Sequence, residues 1–222
     1  MFLSWRCISI KNPLGLCKYV QDYVFDGAYG TKKDVMDGGY KITYSKDSIT
    51  ELYFENEGEM MRTFADPYVK EVVGPDGLNF SDGSKALPFL VTEQEIQVPN
   101  PAEGGIKIFH FLKRNDSITQ EEFQKLWNES HGEALERCSA AKEQLRKMIN
   151  NVQISLGEAD YFGSKETVKY DGVFTMWFET TKAFRAYERE LAAIAEQKDE
   201  FIDQSRSFFL YTDSCTILDL TK

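Results

Sequence analysis

Histidine is the scarcest chemically versatile residue: the 222-residue chain has only His110 and His131. Cysteine is also sparse. Cys7, Cys17, Cys138 and Cys215 form no C-x-x-C pair and have no neighbouring histidine at metal-ligand spacing, which argues against a zinc site and for reduced structural thiols in a cytoplasmic protein. Basic charge is short as well, with 26 Lys and Arg against 36 Asp and Glu, a net charge of −10 and a pI near 4.8. Nucleic acid and anionic membrane surfaces both need clustered cations, so neither is an expected partner. No apolar run approaches the ~18 residues of a membrane span. The opening MFLSWRCISI lacks the sustained apolar core and small-residue cleavage site of a signal peptide. G-x-G-x-x-G, G-x-x-x-x-G-K-[ST] and G-x-S-x-G are all absent, removing the usual sequence grounds for nucleotide, dinucleotide or serine-hydrolase chemistry.

What is present suits a globular core: 42% of residues are hydrophobic and 14% aromatic, in a length that fits one large domain or two of about 100 residues. The most informative stretch is Gly105–Gly132, which holds both histidines. Ile106–Leu112 is rich in β-branched and aromatic residues and reads as a strand buried on both faces. After the polar break 113–116, Ser117 or Thr119 can cap a helix, with Gln120 or Glu122 as the reciprocal partner three residues on. Phe123, Leu126, Trp127, Ser130 and His131 then share one helical face.

The rest of the chain reads as elements of the same kind. Residues 1–17 look irregular; strands are expected at Lys18–Phe25, Ile49–Phe54, Leu87–Val98, Asn150–Leu156, Val173–Phe178 and Phe208–Leu218. Helices are expected at Glu57–Val72, Glu133–Met148 and Thr181–Asp203, and 99–105 looks like a linker. The second half thus reads β-α-β-β-α-β, one ferredoxin-like unit. Three collinear matches suggest an internal repeat. Asp47–Glu55 aligns with Asp171–Glu179 at an offset of 124, Val20-Gln21 with Val152-Gln153 at 132, and Phe89–Glu93 with Phe209–Asp213 at 120. On that alignment the first half has only 19 residues ahead of Val20, against 47 between Gly105 and Val152. It is expected to lack its opening strand and helix, through loss or replacement or because Met1 is not the ancestral start.

Leu112, Lys113, Arg114, Ser117, Glu121, Phe123, Trp127, His131 and Gly132 form the pattern L-K-R-x-x-S-x-x-x-E-x-F-x-x-x-W-x-x-x-H-G, which resembles the opening motif of the EthD family of the dimeric α/β-barrel superfamily. Lys18-Tyr19-Val20-Gln21 is similar to the family's second strand and Tyr170-Asp171-Gly172-Val173 to its entry into the third. The resemblance implies an α+β fold of two tandem ferredoxin-like units, 1–98 and 106–222, closing one α/β-barrel within a single chain. It also implies a small cofactor-independent enzyme, a lyase, isomerase, cyclase or decarboxylase, acting on an aromatic, lactone or polyketide-like molecule. A cofactor-free monooxygenase, an oxidoreductase on a similar substrate, is the nearest alternative. A non-catalytic ligand-binding or assembly module is the other, because a truncated first unit leaves an exposed sheet edge for a second chain, as in a homodimer. No cofactor is expected, and no haem ligand stands out beyond the two histidines.

For proton transfer beside a carbonyl, His131 is the first candidate and His110 the second. The enzymatic reading predicts a pocket reaching the His131 ring. The competing use of His131 is as a cap at a helix C-terminus before Gly132; that of His110 is as a hydrogen-bonded core residue facing the helices rather than the barrel. Arg114 can bind a substrate carboxylate or make a surface salt bridge. Trp127, Phe111, Tyr170, Trp177 and Tyr53 are the candidates for an aromatic pocket, with core packing as their alternative fate.

Overall fold

The computed structural model describes residues 2–5, 15–29, 46–77, 79, 86–154 and 169–221. Eight strands are present among them: β1 Phe2–Trp5, β2 Leu16–Tyr29, β3 Ser48–Phe54, β4 Phe89–Ile96, β5 Ile106–Leu112, β6 Leu145–Gln153, β7 Gly172–Phe178 and β8 Phe208–Asp219. They close into one barrel in the order β1-β3-β2-β8-β5-β7-β6-β4. The main helices are α1 Glu57–Ala65, α2 Gln120–Arg137, α3 Ser139–Gln144 and α4 Thr181–Gln197. In the second half β5 lies antiparallel between β7 and β8, and β6 pairs with β7. With α2 between β5 and β6 and α4 between β7 and β8, this is ferredoxin-like topology.

Local chemistry explains both helices of that half. Thr119 caps α2 by accepting from the Glu122 backbone N–H, while the Glu122 carboxylate accepts from the Thr119 backbone, a complete capping box. Phe123, Trp127, Ser130 and Ala134 form its buried stripe. Thr180 caps α4 by accepting from Ala183, and Phe184, Tyr187, Glu188 and Leu191 face inward. The helices cover one face of β5, packing on Ile108 and Leu112. On the other face Phe109 and Phe111 join Ile49, Phe89, Val91, Phe208 and Leu210 inside the barrel. Burial on both faces is why β5 carries apolar residues on both faces.

Several boundaries differ from those read in the sequence. The first half does have an opening strand: β1 pairs with β3 and β4 and closes the barrel, so the expected exposed edge is not there. It runs parallel to both neighbours, whereas β5 is antiparallel to both of its own. Only 10 residues separate β1 from β2, against 32 between β5 and β6. A parallel crossover needs a dozen or more residues, usually a helix; a reversed strand, antiparallel to β2, can be reached with fewer. The expected missing helix falls at 6–14, outside the described residues. The helix expected over Glu57–Val72 stops at Ala65, just before Pro67, and resumes as a π-helical turn, Val69–Val73. The helix expected through Met148 gives way to β6 at Leu145, and that expected to Asp203 ends at Gln197, followed by left-handed Asp199 and Glu200. Cys17 is disulfide-bonded rather than a free thiol.

Side-chain facing also corrects two of the three repeat matches. At offset 124, Ile49 and Val173 both lie in the barrel cluster, and Phe54 and Phe178 both face outward towards helices. At 132, Gln21 pairs with outward Thr50, whereas Gln153 pairs with inward Val91. At 120, Phe89 is in the barrel cluster and Phe209 under the helices. A one-residue slip in a strand exchanges its faces, so these two alignments are out of register.

Candidate functional site between the sheet and the helix pair

Alternation along β5 turns His110 towards α2 and α4. It is 1% exposed, set edge-on to Phe184 and Phe209 at 5.8 and 6.2 Å. Its Nε2 stands 3.5 Å from Oε2 of Glu188 on α4, itself 7% exposed. Burial, reinforced by nearby His131, pushes the His110 imidazole down to about 3, and burial lifts the Glu188 carboxyl to about 8. At neutral pH both are therefore uncharged, a carboxylic acid beside a neutral imidazole rather than an ion pair.

His131 approaches the same layer from α2. Its Nδ1 lies 2.9 Å from the Tyr187 hydroxyl of α4, and its ring stacks on Trp127 at 4.9 Å, one helical turn back. Trp127 in turn lies flat on Phe174 at 3.9 Å, and Phe174 is the direct cross-strand partner of His110. Burial lowers His131 to about 4; burial, then the neighbouring Glu188, raises Tyr187 well above the usual phenol range. The helix continues through Gly132 to Arg137, so His131 is not a C-terminal cap.

This layer also holds buried polar atoms without a hydrogen-bond partner among the described residues: His110 Nδ1, Trp127 Nε1, Ser130 Oγ and Glu188 Oε2. Each unmet group costs roughly 1–3 kcal/mol. An open cavity at the C-terminal end of α4 is lined by Ala192, Ala195, Glu196, Glu200, Ile202 and Asp203 among others; neither histidine lines it, so it is not the pocket expected at the His131 ring.

The sheet divides the expected aromatic pocket in two. Trp127 lies with the histidines, but Phe111, Tyr170, Trp177 and Tyr53 lie on the barrel side, where Phe111 stacks on Phe208 at 4.4 Å and Tyr170 meets Phe111 edge-on at 5.4 Å. Arg114, at the end of β5, bonds Asp171 at 3.1 Å and the Ile118 carbonyl, so its guanidinium ties the strand end to the turn before α2.

Several residues of both groups were not among the site candidates of the sequence. Tyr187, Glu188 and Ser130 complete the layer under the helices. Inside the barrel, Lys107 of β5 is clasped by Asp22 of β2, at 3.2 Å, and by Glu51 of β3. Tyr53 donates to Glu51 at 3.2 Å, Ser214 donates to Asp22, and the Phe109 and Trp177 rings stand 4.8 and 5.5 Å from the ammonium. Burial works against the Lys107 charge but Glu51 and Asp22 outweigh it and raise its pKa. Burial, then Glu51, lifts Asp22 to about 7 despite Lys107. For Glu51 burial is outweighed by Lys107 and the hydrogen bonds, and its pKa falls. A lone lysine in an otherwise apolar strand, I-K-I-F-H-F-L, was the available signal.

Among the described residues no group of three or more His, Cys, Asp or Glu side chains could hold a metal ion, and no helix is long and apolar enough to cross a membrane.

The strand order and helix placement define an α+β protein of ferredoxin-like topology. The EthD domain profile matches residues 10–84 and 115–205, and the chain belongs to that family. Two solved structures align with it. A proposed monooxygenase from Lactobacillus acidophilus NCFM is 7% identical, with a TM-score of 0.43, over 93% of this chain and 97% of its own. A dimeric ferredoxin-like protein of unknown function from Thermobifida fusca YX is 20% identical, with a TM-score of 0.28, over 53% of this chain and 93% of its own. No curated protein matches the chain in sequence.

Proposed function

We propose that this protein is a cofactor-independent enzyme that moves a proton on a carbonyl-bearing aromatic, lactone or polyketide-like molecule held between the sheet and the pair α2 and α4. The observation that carries the reading is the convergence of His110, His131, Tyr187 and Glu188 from three elements into one apolar layer with unmet polar atoms. Both imidazoles are neutral at pH 7, the form that accepts a proton. His131 is only half-buried and leads from the helix surface into the layer. It would take a proton from the carbon next to the substrate carbonyl, using the ring nitrogen that Tyr187 does not occupy. The enolate so formed favours the imidazolium electrostatically, and return of the proton to another carbon or to a leaving group completes isomerisation, cyclisation or elimination. Flat rings such as Trp127, Phe174, Phe184 and Phe209 suit a planar substrate. In the same reading, residues 1–98 and 106–222 are tandem ferredoxin-like units joined by 99–105, and one chain supplies the barrel that two chains otherwise form.

The test is deuterium incorporation into the methyl group of acetophenone in D2O, followed by proton NMR. The protein is expected to accelerate exchange, and His131→Gln to lower that acceleration at least about 100-fold, the usual worth of a general base. Equal exchange by the protein and His131→Gln overturns the assignment.

A further inference from the structure

The tautomer of His110 follows from its neighbours. Glu188 is a buried carboxylic acid that keeps its proton up to about pH 8. Among the described residues its buried Oε2 has no hydrogen-bond partner, and the His110 Nε2 stands 3.5 Å away. A protonated carboxyl there donates towards Nε2, and a neutral imidazole has only one proton to place. That proton goes to Nδ1. His110 Nδ1 is itself buried and without an acceptor, so the arrangement presents an unused N–H inside an apolar layer.

Trp127 presents another. Its indole Nε1 is a donor and nothing else, and it too is buried without a partner. Both groups connect to one residue: His110 is paired with Phe174 across the strands, and the Trp127 indole lies on the Phe174 ring at 3.9 Å. Ser130, one helical turn from Trp127 on the same buried stripe, adds a hydroxyl with no partner. The two N–H groups are donors without an acceptor, which favours a ligand oxygen with free lone pairs over an ammonium or a hydrocarbon of the same shape.

We propose that His110 Nδ1–H and Trp127 Nε1–H form an acceptor subsite for a carbonyl or enolate oxygen, and that Glu188 is the positioning residue that holds His110 in the donating tautomer. This rests on the placement of substrate between sheet and helices, and gives that reading its missing component: donors for the oxygen on which charge develops when His131 takes the proton. The ligand class is a planar ketone, quinone, lactone or phenolic enolate.

The experiment pairs equilibrium binding with a direct view of the tautomer. Binding of acetophenone is compared with that of α-methylstyrene, in which C=CH2 replaces C=O in nearly the same shape, by quenching of tryptophan fluorescence or calorimetry. The protein is expected to prefer the ketone at least about tenfold, the value of a hydrogen bond to an otherwise unmet buried donor. Glu188→Gln, whose amide can still donate to Nε2, keeps the preference; Glu188→Leu loses it. Nitrogen-15 spectra of His110 show the proton on Nδ1 in the protein and in Glu188→Gln, and a changed tautomer population in Glu188→Leu, a readout that a merely structural role for Glu188 does not move. Equal affinity for ketone and olefin, or a proton found on Nε2, overturns the acceptor subsite while leaving the aromatic site standing. Failure of the protein to bind either compound overturns both.

Discussion

Lys107 and His110, three residues apart on β5, face opposite sides of the sheet: the lysine ammonium sits 3.2 Å from the Asp22 carboxylate inside the barrel, and the imidazole 3.5 Å from Glu188 beneath the helices. One strand thus carries two buried polar groups of different design. The barrel group is paired throughout and joins β2 and β3 to β5 across the two halves of the chain. The helix-side group is left with unmet donors and acceptors. Full pairing suits a lock, and incomplete pairing suits a ligand.

Removing Lys107 alone tests the lock. Lys107→Met leaves Asp22 and Glu51 facing each other in a buried space, and stability is expected to drop by about 3–5 kcal/mol, read as a lower urea midpoint. Adding Asp22→Asn and Glu51→Gln to the same protein is expected to recover most of the loss, because the cost comes from stranded charge. A triple variant no better than Lys107→Met alone would show that the lysine stem, not its charge, does the stabilising.

The barrel carboxyl also sets a pH dependence. Asp22 is held at about 7 against its ordinary 3.8, so over that interval the folded chain keeps a proton that the unfolded chain has released. The associated stability is whole below about pH 4 and is lost as pH rises towards 7, with a slope of at most about 1.4 kcal/mol per pH unit from one group. Glu188, raised to about 8, acts in the same direction, so the measure is the difference between the protein and Asp22→Asn across pH 4–8. The variant is expected to be the flatter of the two; parallel curves would refute the assignment.

Both histidines depart from ordinary behaviour in the opposite sense. With His110 held at about 3 and His131 at about 4, the folded chain resists protonation that the unfolded chain accepts near 6.5. Their contribution is present above that value and lost as pH falls through 4 to 3. Proton NMR should accordingly find the two imidazole C2–H signals constant between pH 5 and 8. A titration midpoint near 6.5 for either ring would place it in water rather than in the layer.

Features set by neighbours in sequence were legible in advance, and those set by distant contacts were not. The Thr119 and Glu122 capping box, the Phe123 and Trp127 stripe and the two-faced burial of β5 each follow from spacing within a dozen residues. Trp127 and the two histidines could be singled out by residue type; Trp127 and His131 stack, and His110 faces the same helices. Their partners Tyr187 and Glu188 lie more than 50 residues further on and look like ordinary members of an amphipathic helix. Asp22 and Glu51 reach Lys107 over 85 and 56 residues. Similarity between strands reports residue type but not facing, so matches at 132 and 120 looked as good as the one at 124 although they invert the sheet faces. The barrel closed through a short reversed strand, a topology that depends on the ten-residue connection rather than on any motif.

Gly132 shows how one residue can mislead and still be useful. Next to His131 it suggests a helix end, yet it sits inside α2, is exposed, and a Cβ added there meets nothing within 4 Å. Glycine in a helix interior costs about 0.5–1 kcal/mol relative to alanine, mostly through the freedom of the unfolded chain. Gly132→Ala is therefore expected to stabilise the protein by about that amount, raising Tm by roughly 1–4 °C in a chain of this size. Because the partners of His131 are Tyr187 and Trp127, the shape of the His131 environment in NMR should be unchanged. A lower Tm would mean that the helix needs flexibility at this point, and would place a hinge beside the proposed base.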